Sequence, residues 1–153
     1  MRALLILLAS LGVIAASHAA DAVTGRLVKV LPFFEDQHGR IATSPSLFDR
    51  DAYQAFLRQH TNEVSAIRFD VLWKAAKSTD AKYKIAVELR GVGTNSEPRL
   101  MTLETNVVPG SYRRWTNIPL AGREYHDFGA VVAWRARLWN GDQILSEQKS
   151  FLW

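Results

Sequence analysis

Few side chains in this sequence are spaced in a way that could support chemistry. Glu35, Asp36 and His38 could offer oxygen and imidazole ligands to a metal ion, but Gly39 follows directly and favours a polar turn. A metal site would need further ligands, and the sequence nominates none. We therefore expect neither a metal site nor a cofactor.

A second acidic group, Asp49-Arg50-Asp51, could suggest calcium binding. It lacks the spaced run of oxygen ligands and the central glycine of a calcium loop. Acidic residues at the start of a helix complement its dipole. We interpret this group as helix capping.

Catalytic residues have equally little support. The chain has no cysteine, and no serine stands in a Gly-x-Ser-x-Gly elbow. His60 ends a predicted helix on its apolar side, and His126 falls in a predicted loop before a strand. Any two acids could form a paired-carboxylate site, so that pattern is uninformative. We expect a protein that is not an enzyme, with a small envelope hydrolase as an alternative.

Arginine and tryptophan side chains form a more promising group. If two predicted strands lie side by side, their outward positions form a candidate binding face that consists of Arg135, Arg137, Trp139, Lys84 and Arg90. Four cations then oppose Glu88 and at most one further acid, Glu147, which would suit an acidic glycan or an acidic protein surface. The competing interpretation is an ordinary solvated face of Arg–Glu pairs, with Trp139 covering one end of the sheet.

The elements that must position these residues are mostly strands. Apolar and polar residues alternate, as in half-buried strands, in the segments 23–34, 67–74, 83–90, 99–107, 112–120, 128–139 and 143–153. On 128–139 the predicted inner face includes Phe128, Val132 and Trp134. Asn140-Gly141-Asp142 is a strong turn signal, so the last two strands should form a hairpin.

One segment has helical spacing instead. Ser46 and Asp49 stand in the spacing of a capping box, with Asp in place of Glu. Tyr53, Phe56 and Leu57 then recur at intervals that place them on one side of a helix. The sequence predicts a helix over 47–59 that rests on the sheet through these three side chains.

Together these elements indicate a mainly β fold. We expect an antiparallel sandwich of the immunoglobulin or fibronectin type, with about seven strands and one short helix between the first and second strands. No strand–helix–strand rhythm and no internal repeat is present. Residues 20–153, about 134 residues, should form a single domain.

The first nineteen residues have the pattern of a cleavable signal peptide. Arg2 precedes an apolar run that is too short for a membrane span, and Ser17-His18-Ala19 is a small-x-small exit. Cleavage after Ala19 would lower the formal charge from +4 to +3. Export and this small excess argue against a nucleic-acid partner and against stable membrane insertion after cleavage. The absence of cysteine and of glycosylation sequons favours a bacterial periplasm or cell surface.

Three stretches resemble a group of small exported bacterial proteins that lack an assigned function. They are Leu27-Val-Lys-Val-Leu-Pro-Phe-Phe, Ser44-Pro-Ser-Leu-Phe-Asp-Arg-Asp-Ala-Tyr-Gln-Ala and Ala133-Trp-Arg-Ala-Arg-Leu-Trp-Asn-Gly-Asp. The resemblance implies a location in the bacterial envelope and an immunoglobulin-like fold. It transfers no active residue.

The sequence thus predicts an exported, non-catalytic β-sandwich that binds another protein or a glycan. A small outer-membrane barrel is a further alternative, since such barrels often end on an aromatic residue, as this chain does at Trp153. Against it, Glu147 and Lys149 share the strand face of Trp153 and would have to meet lipid.

Overall fold

The computed structural model of the protein describes residues 24–153. The predicted signal peptide and its cleavage site after Ala19 lie outside these residues. In chain order the elements are β1 (Gly25–Asp36), α1 (Leu47–Gln59), β2 (Val64–Ala75), β3 (Tyr83–Val92), β4 (Pro98–Val107), β5 (Arg114–Ala121), α2 (Gly122–Phe128), β6 (Ala130–Asn140) and β7 (Gln143–Lys149).

The seven strands of the described residues form two antiparallel sheets. One sheet has the order β1-β2-β5, and the other has the order β4-β3-β6-β7. The sheets pack against each other as a β-sandwich, with α1 between the first and second strands. The predicted mainly β, antiparallel sandwich is confirmed at this level, although the described residues contain two helices rather than one.

The core lies between the sheets and is built by the alternation of the two central strands. Phe69, Val71 and Trp73 of β2 are buried there, and Ile85 and Leu89 of β3 face them. Burial of each such side chain contributes about 1.5–3 kcal/mol. The indole Nε1 of Trp73 donates a hydrogen bond of 2.8 Å to the Thr116 hydroxyl, so its only polar atom is satisfied.

The last two strands form the predicted hairpin. β6 and β7 are antiparallel and are joined at Gly141, whose φ of +54° is the left-handed conformation that glycine tolerates best. The amide of Gly141 donates to the carbonyl of Lys82, and Asn140 Oδ1 accepts from the amide of the same lysine. These bonds attach the hairpin turn to the start of β3.

The predicted inner face of 128–139 is wrong at its beginning. Phe128 is buried, but it ends α2 instead of starting a strand. In β6 an irregularity in pairing opposite Arg90 and Gly91 leaves Val132 as an extra residue, and its side chain is 49% exposed. A bulge shifts the alternation by one residue, so Val131 takes the inner position. Trp134 packs against the core but is only partly buried.

Helix α1 has the predicted bounds, and Ser46 caps it by accepting from the amide of Asp49. Its contact with the sheet differs from the prediction at one position. Leu57 is fully buried, but Phe56 is exposed, and Gln54 is buried in its place. Residues three apart lie on the same side of a helix, which puts Gln54 and Leu57 together. The ring of Phe56 instead stacks on that of Tyr53, one turn earlier in the helix.

The segment around His126 is also different from the prediction, since it forms helix α2 rather than a loop. The imidazole ring of His126 packs edge-on against the ring of Tyr125. Gly129 follows the helix as its C-cap, with a φ of +83°, and an added Cβ there would collide with the Val92 carbonyl oxygen. Within residues 24–153, no helix is long and apolar enough to cross a membrane.

Candidate functional site

The candidate binding face is the outer surface of the four-stranded sheet. Strands β3 and β6 are hydrogen-bonded neighbours, and Lys84 stands opposite Trp139 while Glu88 stands opposite Arg135. Residues that oppose each other in an antiparallel pair share a face. The structure therefore brings all five predicted residues to one surface, with β4 and β7 as its flanks.

Two arginines and two glutamates form the centre of this face. Arg137 reaches Glu88 and Glu147, each at 2.8 Å, and Arg135 contacts Glu88 at 2.5 Å and approaches Glu147 at 3.9 Å. The hydrogen bond from Arg137 is the main cause that lowers the pKa of Glu147 below its usual range. Each guanidinium is therefore held between carboxylates, as the competing interpretation of the sequence anticipated.

The remaining cations have different surroundings. Lys84 pairs with both carboxylate oxygens of Glu104 at 3.0 Å, a partner on β4 that the sequence argument did not include. For Arg90, no carboxylate of the described residues lies within 4.0 Å. Lys149 stands opposite Arg135 on β7 and likewise has no ion pair among residues 24–153. Five cationic side chains thus oppose three carboxylate side chains on this face.

Trp153 is part of the face, although the sequence argument had not placed it there. After β7 the chain turns at Ser150, whose carbonyl accepts from the amide of Trp153. The indole ring then lies under the guanidinium groups of Arg90 and Arg135, at 4.1 and 4.5 Å from the ring centroid. Such contacts are cation–π interactions. The predicted strand over 143–153 put Trp153 on the face of Glu147 and Lys149, but β7 ends at Lys149, so the ring reaches the two arginines through the turn at Ser150 and not through strand alternation.

Trp139 occupies the other end of the same surface. Its ring centroid is 5.9 Å from Lys84 Nζ and 6.0 Å from the guanidinium carbon of Arg137. The face therefore consists of a central carboxylate–guanidinium network with an indole ring at each end. We call this set the arginine–tryptophan face: Lys84, Glu88, Arg90, Glu104, Arg135, Arg137, Trp139, Glu147, Lys149 and Trp153.

The acidic groups near α1 have structural partners. The buried Asp36 carboxylate accepts from the amides of His38 and Arg40, from the Arg40 side chain and from the hydroxyl of Tyr53. Asp49 accepts from the hydroxyl of Ser44. No group of three or more His, Asp or Glu residues that could hold a metal ion occurs in the described part of the chain.

The histidines likewise show no catalytic arrangement in the described structure. His60 caps the C-terminus of α1, with its Nδ1 2.9 Å from the Phe56 carbonyl oxygen and its ring stacked on Phe56 at 4.0 Å. The hydrogen bonds of the described residues include none that joins a serine hydroxyl to a histidine ring. These contacts account for His60 as a helix-terminal residue.

Comparisons of this chain with protein-family models, with curated proteins and with solved structures gave no match.

Proposed function

We propose that this protein is an exported, non-catalytic β-sandwich that binds an acidic partner, either a glycan or a protein surface, in the envelope of a bacterium. The observation that carries the proposal is the charge balance of the arginine–tryptophan face, where five cations oppose three carboxylates. Positive surfaces of this kind attract acidic ligands over a distance of about 8–10 Å at ordinary ionic strength.

The order of the strands supports a more specific classification of the fold. The seven antiparallel strands form sheets of the order β1-β2-β5 and β4-β3-β6-β7. The chain therefore crosses from one sheet to the other between β2 and β3, between β4 and β5, and between β5 and β6. Sandwiches of the immunoglobulin and fibronectin type share this division into a smaller and a larger sheet with crossing connections. We propose that the protein belongs to that type. Because the fold hosts many functions, it supports the binding role only by analogy.

Export and a bacterial envelope are supported by the amino-terminal pattern and by the resemblance of three stretches to small exported bacterial proteins. Amino-terminal sequencing of the secreted protein should find a first residue within two positions of Ala20. Recovery of the protein with Met1 in a membrane fraction would contradict export in this form.

The rigidity of the face also suits recognition. The guanidinium groups of Arg135 and Arg137 are fixed by Glu88 and Glu147, so they need little ordering when a ligand binds, although the Nε of Arg135 is buried without a hydrogen-bond partner and does not reach a ligand. Arg90 and Lys149 have no carboxylate partner among residues 24–153, which leaves them available for an acidic group. Tryptophan and arginine are enriched among residues that dominate binding energy.

Retention on an anionic glycan column tests the proposal. Replacement of Arg90 and Lys149 by Ser removes two cations without stranding a carboxylate. The variant loses the contact of Arg90 with Trp153, which costs about 0.5–1 kcal/mol, but it should fold and elute at a lower salt concentration. Replacement of Arg135 and Arg137 should weaken retention too, but it leaves Glu88 unpaired and should lower stability by about 1–2 kcal/mol.

The matched control is a double variant that loses the same charge elsewhere. Arg113 has no side-chain hydrogen bond within residues 24–153, and the Arg123 side chain is 93% exposed. Replacement of both by Ser should change elution much less than replacement of Arg90 and Lys149. A column of an acidic protein, run in parallel, distinguishes the two kinds of ligand. If face and control variants elute together on both columns, the face does not bind acidic ligands.

A further inference from the structure

A small apolar groove lies at the side of the sandwich, between the second half of β1 and the beginning of β6. It has a volume of about 210 Å³, and its lining includes Pro32, Phe34, Arg58, Val132, Trp134 and Ser150. Sites for small molecules usually measure about 300–1,000 Å³. This groove is smaller, and its size suits one or two apolar side chains.

One wall of the groove is an incomplete strand edge. The pairing of β7 with β6 runs only from Asn140 back to Arg135, and Ser150 completes it by donating its amide to the Trp134 carbonyl. Of residues 130–133 in β6, Ala130, Val131 and Ala133 pair with β3 along one edge of the strand, and Val132 is the extra residue of the bulge. On the other side, no hydrogen bond reaches their backbone from the part of the chain that the structure describes. About four residues, or roughly 13 Å of strand, are thus open.

The opposite wall is closed to strand pairing. Pro32 has no amide hydrogen, and the amide and carbonyl of Phe34 are both bonded to the side-chain amide of Gln54 at 2.8 Å. Protected edges of this kind prevent pairing with other chains. The groove therefore has one edge that side chains block and one, on β6, that no described residue covers and that is interrupted only by the bulge at Val132.

We propose that this groove accepts an extended segment of another protein, which adds as a strand to the free edge of β6. Its backbone pairs with residues 130–133, and an apolar side chain enters the groove. An acidic residue at its end faces Arg58, because Arg58 is the only charged residue of the groove lining and has no ion pair among the described residues. Strand addition combines backbone hydrogen bonds for affinity with side-chain pockets for specificity.

The described segments of the chain itself leave this position free. Trp153 folds over the outer face of the four-stranded sheet, under Arg90 and Arg135. The described residues begin beside Gly25, which pairs with Ala75 at the end of β1 away from the groove. The inference goes beyond the proposed function, since it concerns a different surface and a different kind of ligand.

Hydrogen exchange with a synthetic peptide tests the proposal. The probe is an octapeptide in which valine alternates with threonine and aspartate stands at one end. With about 1 mM of this peptide, the amides on the open side of residues 130–133 should exchange more slowly than in the free protein. Val132→Lys should abolish this protection, because an inserted charge discourages pairing at a strand edge.

The matched control is Ile144→Lys, since Ile144 is 43% exposed on β7, whereas Val132 is 49% exposed. This variant should retain the protection. Arg58→Glu should lower the affinity for the aspartate peptide up to about fivefold and favour a matched peptide that carries lysine.

Three outcomes would overturn the proposal. In the first, the peptide does not slow the exchange of residues 130–133. In the second, the peptide protects the Val132→Lys variant as much as the parent. In the third, these amides become protected without peptide when the protein concentration is raised. The last would show that a second copy of the chain occupies the edge. The Arg90 and Lys149 double variant should bind the peptide like the parent, so this test and that of the arginine–tryptophan face can fail separately.

Discussion

Replacement of Asp36 by Asn tests how the loop before α1 is held in place. The Asp36 side chain is only 4% exposed and accepts four hydrogen bonds, two from backbone amides and two from the side chains of Arg40 and Tyr53. An asparagine can still accept from the two amides through its oxygen. Its NH2 group, however, would meet the Arg40 Nε–H, which is also a donor, and the charge that strengthens all four bonds would be lost.

The expected cost follows from these contacts. Hydrogen bonds to a buried charged group contribute about 1.5–3 kcal/mol each, and the bond to Arg40 counts for less because that side chain is 55% exposed. We expect Asp36→Asn to lower the free energy of unfolding by about 2–4 kcal/mol at pH 7. Urea denaturation followed by tryptophan fluorescence measures this difference.

The pH dependence gives an independent check. Burial alone would raise the pKa of Asp36, but the hydrogen bonds from the Arg40 amide, the Tyr53 hydroxyl, the Arg40 side chain and the His38 amide lower it well below its usual range. A carboxyl whose folded pKa is depressed contributes stability that is fully present above its unfolded pKa of about 3.9. That contribution is lost as the pH falls further. The difference between parent and variant should therefore narrow below about pH 4.

Asp127→Asn is the matched control, because the Asp127 side chain is 67% exposed and its one ion pair within residues 24–153 is with the exposed Arg123. It should change stability by less than about 0.5 kcal/mol. The reasoning would be refuted if Asp36→Asn behaved like this control, or if its cost were the same at pH 2 as at pH 7.

Three further substitutions test the fold. Gly129→Ala should cost more than Gly141→Ala, because both have positive φ but only at Gly129 would a Cβ meet backbone atoms; equal melting temperatures would contradict this. Trp73→Ala should cost about 3–5 kcal/mol in urea denaturation by leaving a core cavity, and a smaller loss would place that ring outside the core. Gln54→Ala should cost about 1–3 kcal/mol by leaving the Phe34 amide and carbonyl without partners, whereas Gln54→Glu should restore only the bond to the amide.

Local patterns in the sequence determined much of the secondary structure. Strict alternation marks β2 and β3 because each has one face on the core and one on solvent. The Asn-Gly-Asp turn and the capping serine of α1 depend on interactions within a few residues, so neighbouring residues suffice to predict them. The adjacency of β3 and β6 was a condition of the candidate binding face and had no local signal behind it, and the structure confirms it.

Tertiary structure decided the features that depend on residues far apart in the chain. The bulge at Val132 arises from pairing with β3, and no local pattern in β6 marks it. Gln54 is buried because the edge of β1 needs hydrogen-bond partners, whereas the apolar Phe56 remains exposed. The position of Trp153 under Arg90 and Arg135 depends on how the chain leaves β7.

The charges of the candidate face also depend partly on local sequence and partly on tertiary structure. The sequence by itself determined that arginine and tryptophan side chains alternate on β6, because residues two apart in a strand share a face. It could not determine how these charges are balanced, since Glu104 comes from β4 and Glu147 from β7. Ion pairs across a sheet depend on strand order and register, and these are settled only when the whole sandwich assembles.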